Sequence, residues 1–132
     1  MPNRRYRSGV NLEREIRQIL EERYNIPCLR TAGSKSDFDL IALGRRTILI
    51  QIKYTAKDNI IPPLKLLEKL KPYVTDNRWA VIIVVQRQTR KTYLGCVDDK
   101  NNSCDYYKWI AKFPDAMNRL NQLCSGYEID NT

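Results

Sequence analysis

Residues 39–54 read Asp39-Leu40-Ile41-Ala42-Leu43-Gly44-Arg45-Arg46-Thr47-Ile48-Leu49-Ile50-Gln51-Ile52-Lys53-Tyr54, two apolar runs broken by a short glycine-containing turn. Strand-forming side chains on either side of Gly44-Arg45-Arg46 predict a β-hairpin of strands Phe38–Leu43 and Thr47–Tyr54. Side chains alternate between the faces of a strand, so Gln51 and Lys53 share one face and Ile50, Ile52 and Tyr54 the other. A polar pair at alternate positions among Ile48, Leu49, Ile50 and Ile52 is unusual for a mostly buried strand. A buried Lys53 needs a charged partner, and Asp39 across the hairpin is the candidate. The plain alternative is an edge hairpin whose polar face meets water.

Beyond the hairpin, Pro62 and Pro63 stand where a helix can start, Leu64, Leu67 and Leu70 give it an apolar stripe, and Pro72 bends or ends it. Trp79–Gln86 is a continuous apolar and β-branched run, as expected of a strand buried on both faces. Thr92–Val97 predicts a further strand. Pro114 opens a last helix carrying Met117, Leu120 and Cys124, and Gly126 can close it. The segment Cys104–Phe113 is aromatic and ambiguous.

On the N-terminal side, Thr31–Asp37 is a polar loop around Gly33 and Cys28–Arg30 a short strand. Asn11 is a good N-cap, followed at helical spacing by Leu12, Ile16, Ile19 and Leu20. This predicts a helix over residues 11–24, ended by Pro27, with residues 1–10 a basic arm that orders on DNA. The element order α-β-β-β-α-β-β-α makes the fold class α/β, a mixed sheet flanked by helices.

Composition narrows the chemistry. The 132 residues suit one domain, and 42% apolar residues suit a packed core. The longest apolar run, Ala80–Val85, is too short for a bilayer and no apolar leader opens the chain, so an intracellular, cytoplasmic protein with no membrane partner is expected. A net charge of +8 points to a polyanion, most commonly nucleic acid, although a basic surface also serves solubility. The cysteines Cys28, Cys96, Cys104 and Cys124 lack paired spacing and read as small buried residues or free thiols. With no histidine in the chain, Ser-His-Asp and Cys-His sites are excluded. An enzyme built from these residues works with carboxylates, lysine and a metal. Asp39 would then bind a hard divalent cation, Gln51 would add a neutral oxygen, and Lys53 would orient or stabilise the attacking hydroxide.

Several blocks resemble the archaeal-type Holliday junction resolvases of the PD-(D/E)XK nuclease superfamily. They are Tyr6-Arg7-Ser8-Gly9 with Glu13-Arg14-Glu15, Leu29-Arg30-Thr31-Ala32-Gly33-Ser34-Lys35, Asp39-Leu40-Ile41-Ala42, and Ile48 to Asp58 with Gln51 and Lys53 at its centre. They fall in the family's order and spacing across about residues 5–87. The resemblance implies a restriction-endonuclease-like fold and a single nuclease domain. It implies a homodimer that cuts four-way DNA junctions by paired symmetric nicks with Mg2+, for which Mn2+ can substitute. Glu13 would be the helix-borne acid, Asp39 the central metal ligand and Lys53 the catalytic lysine, with Gln51 and the backbone carbonyl of Ile52 completing the metal set. Periodicity does not choose between Glu13 and Glu15; the resemblance assigns Glu13.

Junction and phosphate contacts are expected from Arg4, Arg5, Arg7, Arg14, Arg30, Ser34, Lys35 and Lys57. The helix at Pro63–Leu70 or the strand Trp79–Val85 is the candidate dimer contact, with plain core as the alternative role. Tyr106, Tyr107 and Trp109 either stack on unpaired bases or pack the last helix. The chain departs from the family in two places. Gln51 stands where the family usually has Glu, and one extra loop residue brings in Asp37, which either restores the missing charge or is a solvated loop aspartate. Two other functions fit the residues: a nuclease of this fold acting on restriction-like or flap substrates, and a non-catalytic DNA-binding protein with a decayed site.

Overall fold

A computed structural model describes residues 4–31, 38–58, 60, 64–98, 103–105 and 111–126, with the backbone alone described at 4–10, 64 and 103–105. Its helices are α1 (Arg4–Gln18), α2 (Leu64–Leu70) and α3 (Phe113–Cys124). Its strands are β1 (Cys28–Arg30), β2 (Leu40–Leu43), β3 (Thr47–Thr55), β4 (Arg78–Gln86), β5 (Lys91–Val97), β6 (Ser103–Asp105) and β7 (Ala111–Lys112). They form one mixed sheet in the order β1-β2-β3-β4-β5-β6, with β7 also paired to β5. Only β3 and β4 are parallel, in register from Thr47↔Arg78 to Thr55↔Gln86. A parallel pair needs a crossover connection, and α2 lies within it.

The sheet sits between two helical layers. On one face Leu12, Ile16 and Leu20 of the first helix and Met117, Leu120 and Leu123 of α3 pack on Ile48, Ile50, Trp79, Val81 and Ile83. On the other, Leu67 and Leu70 of α2 cover Leu49, Ala80, Ile82 and Val84. β4 is therefore buried on both sides, which its unbroken apolar run anticipates. The stripe of α2 is likewise core, so the two segments named above as dimer contacts both face inward.

The first helix departs from expectation. It starts at Arg4, not at Asn11, and continues past Gln18 as a π-helical turn over Ile19–Arg23. Residues 4–10, expected as a basic arm, are helical backbone. A cap at Asn11 is worth only about 1 kcal/mol, a local preference too small to fix where the helix starts. The stop comes at Asn25, whose φ of 57° breaks the helical path. Likewise β2 begins at Leu40, two residues later than expected, and Phe38 packs beneath α2 with its ring 5.0 Å from Tyr73, edge to face.

The β2–β3 turn is tied to the end of α3. A Cβ on Gly44 would lie 2.3 Å from the Cys124 carbonyl oxygen, so only glycine allows this approach. Arg46 donates from its backbone N–H to that same carbonyl at 3.2 Å and from its guanidinium to the Leu123 carbonyl at 3.0 Å. It thereby satisfies the Cys124 carbonyl, adds to the Gly126 N–H a second donor at the Leu123 carbonyl, and brings a cation to the negative end of the helix dipole. The same guanidinium lies 3.4 Å from the centre of the Trp79 ring.

Candidate active site

β2 pairs with β3 only as far as Leu40↔Ile50. Among the described residues, Gln51–Thr55 of β3 therefore have no neighbour on that side, and Asp39 stands at the opening. Its backbone N–H donates to the Ile50 carbonyl at 2.8 Å, and its carbonyl accepts the Thr31 N–H at 3.2 Å. Its carboxylate accepts the Ile52 N–H at 2.7 Å. The bonds to Ile50 and Ile52 bracket Gln51, and they hold the Asp39 carboxylate against the edge of β3. The N–H and carbonyl of one strand residue point to the same side, so the Ile52 carbonyl faces this edge as well.

Glu13 reaches the edge from α1, flanking the buried stripe of Leu12 and Ile16. Its Oε1 is 2.9 Å from Nε of Arg30 on β1, with 15% of the Glu13 side chain exposed against 51% of Arg30. Burial pushes the Glu13 carboxyl above the ordinary carboxylate range. The Arg30 charge opposes this, the negative Asp39 adds to it, and Arg17 opposes it more weakly. Glu13 and Asp39 thus lie in one another's field. Arg14, Arg17 and Arg30 surround Glu13, and the four line a water-sized cavity of about 30 Å³. Arg17 was not singled out from the sequence, although its place four residues after Glu13 puts it on the same helix face.

Glu15 points elsewhere. It pairs with Arg90, whose guanidinium also lies 4.3 Å from the centre of the Phe113 ring. The two acids that periodicity could not separate differ in partner: Glu13 pairs with Arg30 and feels the charge of Asp39, and Glu15 anchors α1 to the β4–β5 turn.

Gln51 and Lys53 share a face, as alternation requires. Because Leu49 packs against Leu70, that face is the α2 side, opposite α1. They flank the Asp39 edge from below while Glu13 approaches from above. Gln51 is half-buried and Lys53 exposed. The expected burial of Lys53 against Asp39 is not found: among the described residues Lys53 has no ion-pair partner. The reason is that Lys53 lies on the stretch of β3 that β2 leaves open, and a lysine in water needs no counter-ion. Lys57 is exposed just past β3. The side chains of Arg4, Arg5 and Arg7 lie outside the described part, as do Ser34, Lys35, Asp37, Tyr106, Tyr107 and Trp109.

The carboxylates of Glu13 and Asp39, the Gln51 amide oxygen and the Ile52 carbonyl are hard oxygen donors of the kind that Mg2+ takes. Among the described residues no three Asp, Glu, Cys or His side chains gather in one place, so the charge of this set rests on Glu13 and Asp39 alone. Cys28 and Cys124 are buried free thiols, and Cys96 is buried in β5. Burial pushes the Cys28 thiol up to about 11 and the Cys124 thiol up to about 12, leaving both protonated and inert. No described helix is long and apolar enough to cross a membrane.

The family model of the archaeal Holliday junction resolvases (Hjc) matches residues 4–108. The chain belongs to this family. The match takes in every element from α1 to β6, and with them Glu13, Arg30, Asp39, Gln51 and Lys53; α3 lies beyond it. Among solved structures, that of Hjc from Archaeoglobus fulgidus, a Holliday junction resolvase of an archaeal hyperthermophile, is 17% identical, with a TM-score of 0.46 over 83% of this chain and 98% of that one. No curated protein matches. Membership in the Holliday junction resolvases makes this a junction-resolving nuclease whose substrate is branched DNA, in a family that generally uses divalent metals.

Proposed function

We propose that the chain resolves four-way DNA junctions by Mg2+-dependent phosphodiester hydrolysis, acting as a two-fold homodimer that places paired symmetric nicks. The observation that carries this reading is the Asp39 carboxylate fixed on the Ile52 N–H where β2 leaves β3, with Glu13 beside it. Glu13, Asp39, the Gln51 amide oxygen and the Ile52 carbonyl would hold the metal, Asp37 being the candidate to add charge, and Mn2+ would substitute. When bound, the metal activates water and stabilises charge on the phosphoryl oxygens. Lys53, exposed and on the strand that carries Ile52, stabilises the attacking hydroxide. Arg14, Arg17 and Arg30 hold the phosphate beside Glu13, and Lys57 extends the contact along the backbone. Arg4, Arg5, Arg7, Ser34 and Lys35 are assigned to DNA on the family resemblance.

A junction has two opposed strands to cut, and a two-fold dimer presents one site to each. The test is cleavage of a labelled four-way junction in Mg2+ by the wild type, Asp39→Asn and Lys53→Ala. Symmetric nicks by the wild type, with a loss of about 100-fold or more in each variant, are expected. Tight binding without cleavage in Mg2+ and in Mn2+ would instead leave a DNA-binding protein with a decayed site. Preferential cutting of flaps or linear duplex would assign a different nuclease substrate.

A further inference from the structure

The Glu13–Arg30 ion pair occupies the carboxylate that the metal requires. Resting on the metal site above, we propose that Arg30 competes with the metal for Glu13 and that a DNA phosphate must draw it away before the metal binds tightly.

Three observations converge on this. The Arg30 Nε lies 2.9 Å from Glu13 Oε1, so one of the two acidic donors is already engaged by a cation. The two partners differ in access: Glu13 is held by α1 with little of its side chain exposed, whereas half of Arg30 reaches solvent from the short β1 strand. Arg30 is the partner free to move, and a phosphate offers its guanidinium a bidentate site that a single carboxylate oxygen does not. The third is the surrounding charge. Arg14 and Arg17 line the same cavity as Glu13 and Arg30, and with Gln51 in place of an acid no third carboxylate gathers among the described residues to offset them. Such a positive field repels a divalent cation and attracts a phosphate. Drawing Arg30 onto a phosphate frees Glu13, and the phosphate charge lowers the repulsion in the same movement.

Coupling of this kind is reciprocal: if DNA tightens the metal, the metal tightens DNA by the same factor. The test is Mn2+ binding followed by the EPR signal of free Mn2+, for the wild type, Arg30→Met and Arg30→Lys, at a pH where both carboxylates are ionised. Each protein is measured alone and with a four-way junction carrying hydrolysis-resistant linkages. Without DNA, Arg30→Met is expected to bind Mn2+ on the order of ten-fold more tightly than the wild type, because one repulsive unit charge is gone and Glu13 is released. Arg30→Lys is expected to stay near the wild type. Adding the junction should tighten Mn2+ binding to the wild type and leave Arg30→Met unchanged. Equal or weaker binding by Arg30→Met alone would overturn the proposal and make Arg30 a residue that positions Glu13. So would a wild type whose Mn2+ affinity ignores the junction. Absence of Mn2+ binding in every protein, with and without DNA, would instead remove the metal site on which the proposal rests.

Discussion

At the scale of single residues, Glu13 illustrates how a site is assembled at the expense of stability. Its carboxyl sits above the ordinary range because burial and Asp39 together outweigh Arg30 and Arg17. An acid raised in the folded state favours folding while protonated, and that contribution is lost as pH rises through its folded value. At pH 7 the ionised Glu13 is thus a liability, and Glu13→Gln removes it. The variant is expected to melt no lower than the wild type at pH 7, and its advantage should shrink as pH falls toward 4.5 and the wild type becomes protonated. Junction cleavage should meanwhile fall by about 100-fold or more, since an amide replaces a charged donor. Melting curves across this pH range, beside cleavage rates, check both halves; a Glu13→Gln protein that melts well below the wild type at pH 7 would show that the Arg30 pair outweighs burial. The residues of this site were legible in sequence to different depths. Alternation alone puts Gln51 and Lys53 on one face of β3. It does not reveal that Lys53 is exposed, nor that Asp39 turns its carboxylate onto the Ile52 N–H, because both depend on where β2 ends. The Glu13–Arg30 contact, between residues seventeen apart in sequence on a helix and a strand, has no local signature at all.

At the scale of elements, the central strands and α2 were legible because an apolar run or a proline boundary dictates each of them locally. The start of α1 and the short strands β6 and β7 were not, since β5 supplies their pairing from a distance. The β2–β3 turn belongs between these cases. Gly44 reads as a generic turn glycine, and its actual constraint is the Cys124 carbonyl at the end of α3. Gly44→Ala must move either the turn or the helix end, which weakens the Arg46 bonds to Leu123 and Cys124 and the stacking on Trp79. Overpacking against backbone typically costs about 1–3 kcal/mol. The turn joins the ends of β2 and β3 remote from Asp39 and Ile52. Gly44→Ala is therefore expected to lower the unfolding free energy from denaturant titration by that amount while keeping cleavage at 25 °C within about two-fold of the wild type. A large loss of activity at full folding would show that the α3 end and the site communicate.

At the scale of the whole molecule, a net charge of +8 sets how the protein meets DNA, and the structure shows where part of that charge is concentrated. Arg14, Arg17 and Arg30 line one cavity with Glu13, three cations beside a single half-buried acid, which leaves positive charge for a further anion to meet. Arg17 is partly engaged by Glu21 at 2.9 Å, in an exposed pair four residues apart that contributes little to stability and gives way easily to a phosphate. Every phosphate neutralised releases counterions, so affinity for a junction should fall steeply with salt, with a logarithmic slope near 0.9 per contact. Arg14→Ala and Arg17→Ala are each expected to reduce that slope by about 1 and to weaken junctions of every sequence alike, because they read backbone and not bases. Titrations of each protein with junctions of two unrelated sequences, at several salt concentrations, separate the possibilities. A reduced slope with both sequences affected equally places these arginines on phosphate. An unchanged slope would mean that they serve only to neutralise Glu13 and Glu21, and that the remaining basic residues carry the DNA.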